Sequence, residues 1–106
     1  MGMSSFDRIA ARIDGMRNLA IDIEGQLTAI PALSPASGGR GEIAKARWVE
    51  KWLASAGIAD VSRIDAPDAG AEEGIRPNVI ARIAGRDPSR TLWIMRAISM
   101  MGATLA

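Results

Sequence analysis

Thr91-Leu92-Trp93-Ile94-Met95 reads as a β-strand that is apolar on both faces. Such a strand belongs in the interior of a sheet covered above and below. Eleven residues follow it, too little chain to build a covering layer. The expectation is therefore the opening part of a larger α/β domain. At 106 residues the chain is at most one domain, and with 48% hydrophobic residues it is too apolar for a disordered segment. A chain of this length buries a modest core, and a strand without its neighbours leaves that core marginal.

Phe6, Ile9, Ile13, Met16, Ala20, Ile23, Leu27 and Ile30 recur at alternating intervals of three and four. The spacing predicts one long helix over about residues 5–30, with Ser4 and Asp7 as a capping box and Pro31 as the stop. Gly15 and Gly25 each cost about 1 kcal/mol relative to alanine, so this helix relies on tertiary support. Its stripe has two readings, a dimeric coiled-coil seam or a single amphipathic helix laid on a sheet. Small Ala20 and the two glycines favour the second. Residues 31–41 are a loop by composition. A second helix is predicted over 42–56, with Ile43, Ala46, Val49, Leu53 and Ala56 on one face, widened by Trp48 and Trp52. Glu42 suits the positive end of its dipole, and Gly57-Ile58 reads as a Schellman stop.

Strands are predicted over about 61–65, 78–83 and 91–95. An acidic, mobile loop from Asp65 to Gly74 and a turn at Gly85–Ser89 separate them, and residues 96–106 form an atypical tail. The order of elements implies an α/β fold: an incomplete N-terminal part of a larger domain, two helices packed on a mixed three-stranded sheet, as a single partial domain.

Little in the chain carries chemistry. There is no His and no Cys, so disulfides, thiolate catalysis and every imidazole-dependent triad are excluded. Thirteen basic residues against twelve acidic ones leave a net charge of +1, which gives no electrostatic case for nucleic acid or an anionic membrane. No secretory leader is expected at Met1–Ala11, and no apolar run is long enough to span a bilayer. A cytoplasmic location is the default expectation.

Gly38-Gly39-Arg40-Gly41 precedes a helix and offers candidate amides for a phosphate. It lacks the Lys-Ser/Thr pair and the preceding strand of a P-loop, so a structural loop is the better reading. Asp65, Asp68, Glu72 and Glu73 are possible ligands for a hard cation, but their spacing matches no calcium loop, and a solvated acidic loop is expected. Arg76, Arg82, Arg86, Arg90 and Arg96 are too sparsely interleaved with aromatics for a nucleic-acid face. Trp48 and Trp52 are expected in the core or a subunit contact. No catalytic, cofactor-binding or metal-binding residue is assigned.

Several segments taken together resemble one family. They are Leu27-Thr28-Ala29-Ile30-Pro31, then Ser34-Pro35 and Gly41-Glu42, then Trp52-Leu53-Ala54-Ser55-Ala56-Gly57, then Arg76-Pro77-Asn78-Val79-Ile80-Ala81-Arg82-Ile83-Ala84-Gly85, then Arg90 to Met95. In this order they are similar to the N-terminus of the zinc hydrolases that include aminoacylases, acetylornithine deacetylases, succinyl-diaminopimelate desuccinylases and glutamate-type carboxypeptidases. The likeness runs from about residue 6 to residue 95. It implies a parent of about four times this length, with two zinc ions in an α/β catalytic domain and amide bonds of N-acyl amino acids or small peptides as substrates. It also implies a His-x-Asp ligand motif, preceded by a small residue, directly after Met95. The chain instead reads Arg96-Ala97-Ile98-Ser99-Met100-Met101-Gly102, so no metal ligand carries over.

A shifted reading frame is the expected cause of the abrupt break. The codons of Ile98 and Met100 both begin with AT. Read one base earlier, they become the ends of two NAT codons with one codon between them. The other frame can therefore encode small-His-x-Asp, although it then forces Asp-Gly where the family has Val-Val. The resulting expectation is a truncated, inactive N-terminal segment of a metal-dependent amide hydrolase, with no cofactor of its own and with possible self-association through uncovered apolar surface. The alternatives are a small non-catalytic module that dimerises through the 6–30 helix, and one half of a split enzyme.

Overall fold

The computed structural model describes residues 2–96. The chain begins with α1 (Ser5–Asp14) and α2 (Arg17–Ala29), continues through a 3-10 turn at Pro35–Ser37 into α3 (Ile43–Ser55), and closes with β1 (Val61–Pro67) and β2 (Ile75–Ala81). The two strands form an antiparallel hairpin with Val61 opposite Ala81 and Pro67 opposite Ile75. α3 packs on this hairpin, chiefly along β2. The architecture is therefore three α-helices and a two-stranded antiparallel sheet. This replaces the expected two helices on a mixed three-stranded sheet.

The capping box at the start of α1 is present: Asp7 N–H donates to Ser4 Oγ at 3.1 Å, and Ser4 N–H to Asp7 Oδ2 at 3.3 Å. The single helix expected over 5–30 is two. Gly15 and Met16 interrupt it, with Met16 N–H turning back to Ile13 O at 2.9 Å. Glycine is the weakest helix former after proline, and no side chain caps the new helix start at Met16. The apolar stripe divides at the same place. Phe6, Ile9, Ile13 and Met16 are exposed, while Ile23, Leu27 and Ile30 are half-buried. Sequence periodicity cannot distinguish one helix from two that share a phase.

This division yields a stability prediction. Ile13→Asp is expected to change stability by no more than about 0.5 kcal/mol, as exposed positions do. Ile23→Asp is expected to lower it by about 1–3 kcal/mol, because a carboxylate replaces half-buried apolar surface. Urea unfolding of the two variants checks the contrast.

α3 ends as the sequence predicts. Gly57 takes the left-handed conformation at φ 87°. Ile58 N–H reaches Leu53 O at 3.0 Å and Gly57 N–H reaches Ala54 O at 3.1 Å, the two bonds of a Schellman motif.

The strands differ from their expected bounds. β1 runs on to Pro67, past the expected 65, and β2 begins at Ile75, before the expected 78. The acidic stretch expected as a mobile loop thus contributes to the hairpin and to its ordered connection. Asp68 N–H to Gly74 O and Arg82 N–H to Asp60 O, both 2.9 Å, fix the hydrogen-bonding phase. Alternation from those pairs turns the backbone groups of residues 61, 63, 65 and 67, and of 75, 77, 79 and 81, away from the partner strand. Pro67 and Pro77 occupy such outward positions, so neither removes a ladder bond.

Thr91–Met95, expected as a third strand, pairs with nothing among the described residues. Leu92, Ile94 and Met95 are 85%, 85% and 90% exposed and Trp93 is 69% exposed. The turn before it is present: Asp87 Oδ1 accepts from Ser89 N–H at 3.0 Å and from Ser89 Oγ at 2.6 Å. These bonds hold the Asp87 carboxyl below its usual range. Of the expected atypical tail 96–106, residues 97–106 lie outside the described residues.

Candidate functional site

The most buried polar residues lie where the loop before α3 meets the end of the hairpin. Ile43 and Ala46 are fully buried on α3 beside Ala32, which brings the 32–42 loop against the body of the fold. Within that loop Gly41 N–H donates to Leu33 O at 2.9 Å and Gly39 N–H to Ser34 O at 3.0 Å. Arg40 O accepts Glu72 N–H at 2.7 Å, which joins the loop to the hairpin connection. Gly38 and Gly41 have φ of 85° and 92°, a region open to glycine and costly for other residues.

Glu42 stands at the N-cap of α3 and is 4% exposed. Its carboxylate does not cap its own helix. It receives two bonds from Arg76 on β2, Nε to Oε2 at 2.8 Å and Nη2 to Oε1 at 2.5 Å. This is the bidentate fork that arginine makes with a carboxylate. Arg76 Nη1 also approaches Asp68 Oδ2 at 3.4 Å. The arginine side chain keeps 35% exposure. The Glu42 bonds first, then the nearby charges, raise the Arg76 guanidinium above its already high ordinary value. One clasp thus ties the first turn of α3 to β2 and to the turn after β1.

Lys45 lies one turn after Glu42 and is likewise 4% exposed. It makes no hydrogen bond or ion pair among the described residues. No fully buried side-chain nitrogen among those residues lacks a partner, so the lysine packs its stem and keeps its ammonium tip at water. Burial lowers its pKa from 10.5. The folded state therefore binds fewer protons than the unfolded one between the lowered value and 10.5, and stability rises with pH through that window. Lys45→Met is expected to raise the thermal midpoint at neutral pH, with the gain shrinking to nothing as pH approaches 10.5. Paired melts of the two proteins across that range check it.

The other singled-out residues are accounted for structurally. Gly38, Gly39 and Gly41 spend their N–H groups on backbone carbonyls, so the loop has no free cradle of amides at these positions. Three of the four acids are drawn into ion pairs. Asp65 meets Arg63 at 2.8 Å, Asp68 meets Arg76, and Glu73 meets Arg47 at 2.7 Å. Asp65 first, then Glu50, raises the Arg63 guanidinium. No group of three or more potential ligands is placed to hold a metal ion among the described residues. Trp48 Nε1 donates to Gln26 Oε1 at 3.2 Å, which links α3 to α2, and Trp52 is half-buried. Arg82, Arg86 and Arg90 are exposed.

Sequence reasoning missed the Glu42–Arg76 clasp. Its members are 34 positions apart, and no local spacing signals such a pair. One concave surface is an open groove lined by Glu50, Ala54, Gly57, Ile58, Ala59 and Val61. Its carboxylate, Glu50, is held by Arg63 at 3.1 Å. Comparison of the chain with protein-family models, with curated proteins and with solved structures finds no match. No helix among the described residues is long and apolar enough to cross a membrane.

Proposed function

We propose that this chain is a non-catalytic N-terminal portion of a zinc-dependent amide hydrolase of the aminoacylase and acetylornithine deacetylase type, whose substrates are N-acyl amino acids or small peptides. Its role in that reading is scaffolding. The observation that carries the proposal is the Glu42–Arg76 clasp. Gly41-Glu42 and Arg76-Pro77-Asn78 are two of the segments that resemble the family, and the clasp joins them, so the resembling segments form one structural unit.

Two zinc ions do not fit the residues present. The chain has no imidazole or thiolate, and among the described residues no group of three or more potential ligands is placed to hold a metal ion. Zinc titration by calorimetry and a deacylation assay on N-acyl amino acids test the proposal. It predicts no stoichiometric zinc binding and no turnover. Tightly held zinc with turnover overturns it.

A second reading, a dimerising module, draws on the exposure of Phe6, Ile9, Ile13 and Met16. A parallel seam through these residues sets Arg12 of one copy against Arg17 of the other, a like-charge pair at flanking positions. That repulsion makes α1 a poor zipper.

A further inference from the structure

The hairpin and the segment after it present complementary unpaired surfaces. The outer edge of β2 offers the N–H and C=O groups of Val79 and Ala81, which alternation turns away from β1. Thr91–Met95 is five residues long, rich in strand-forming side chains, free of proline and exposed along its length. Exposed edges of this kind recruit strands from other chains.

The outer edge of β1 is the poorer acceptor. Val61 N–H is already taken by Ala59 O at 3.1 Å, and Arg63 and Asp65 place charges along it. α3 packs mainly along β2, so a strand added beside β2 also gains apolar cover on one face. Within its own chain the segment does not return to that edge, since Thr91–Met95 pairs with nothing among the described residues and Leu92, Trp93, Ile94 and Met95 stay exposed. Addition from a second copy leaves the register free.

We propose that two copies of this chain associate by strand donation, Thr91–Met95 of each copy adding to the β2 edge of the other. The exchange is reciprocal, so the assembly closes as a dimer and does not extend into a fibre. It does not depend on the family assigned above.

Light scattering on the 106-residue chain tests the proposal with two variants that act on opposite partners. Ile94→Asp spoils the donor. Ala81→Pro spoils the acceptor by removing an outward N–H, a position where proline leaves the hairpin ladder intact. Wild-type chain is expected to dimerise, and each variant alone to raise the dimer dissociation constant at least about tenfold with an unchanged circular dichroism spectrum. Mixing the two variants is expected to restore a one-to-one heterodimer, because one donor and one acceptor remain. Ile13→Asp is expected to dimerise as wild type does. A wild-type monomer at all concentrations, self-association unchanged in either variant, or a mixture that stays monomeric overturns the proposal.

Discussion

Gly39→Ala is expected to lower stability by about 2–4 kcal/mol, in the range of strain that neighbouring backbone cannot relieve. A Cβ on Gly39 falls on the carbonyl oxygen, carbonyl carbon and Cβ of Leu33. Those are mostly main-chain atoms and cannot rotate aside. Leu33 is itself fixed, because its carbonyl accepts the Gly41 N–H. Relieving the clash means moving the loop that delivers Glu42 to Arg76. Chemical denaturation is the measurement, with a lower midpoint and an unchanged slope as the expected result. Gly25→Ala is the control. A Cβ there meets nothing within 4 Å, so this helical site is expected to gain up to about 1 kcal/mol.

The second large effect concerns the clasp, and its two halves are not equivalent. Glu42→Gln keeps the shape and one acceptor but loses the charge on a residue that is 4% exposed. The expected loss is about 1–3 kcal/mol. Arg76→Met is expected to be worse, because it removes the bidentate partner of a buried carboxylate, whereas Arg76 keeps 35% of its side chain at solvent and can rehydrate when Glu42 is gone. Glu42→Gln combined with Arg76→Met is expected to recover part of the single Arg76→Met loss. Such recovery measures the coupling directly. Equal and additive losses from the two single substitutions would show that the side chains act independently.

Local grammar was readable in the sequence, and long-range pairing was not. Ser4 and Asp7 announce the start of α1, and Gly57-Ile58 announces the end of α3. Both depend on contacts within six residues, so composition and order are enough to specify them. The break at Gly15–Met16 left no mark on the three-and-four spacing, because α2 resumes in phase with α1. The expected strand bounds at 65 and 78 stop short of Pro67 and Pro77, which lie within β1 and β2. Their compatibility depends on which way each backbone amide faces, and that is set only once the hairpin register is known. Thr91–Met95 has the composition of an interior strand but no partner within the described residues. Apolar sequence specifies a demand for cover without naming its source.

The candidate site follows the same division. The Gly38–Gly41 loop was visible as a loop, and its amides proved to be spent internally. Glu42 was visible as a residue at a helix start, where the dipole alone justified it. Its engagement by Arg76 depends on a chain reversal between them, through α3 and β1, that neither residue encodes. Asp65, Asp68 and Glu73 were visible as an acidic group. Their distribution among Arg63, Arg76 and Arg47 reflects the hairpin geometry.

The nucleotide sequence beyond codon 95 tests the relation to zinc hydrolases most directly. The account predicts that one alternative frame reads a small residue, His, any residue, then Asp, and continues as a long open frame. Stop codons or unrelated sequence in both alternative frames would contradict it.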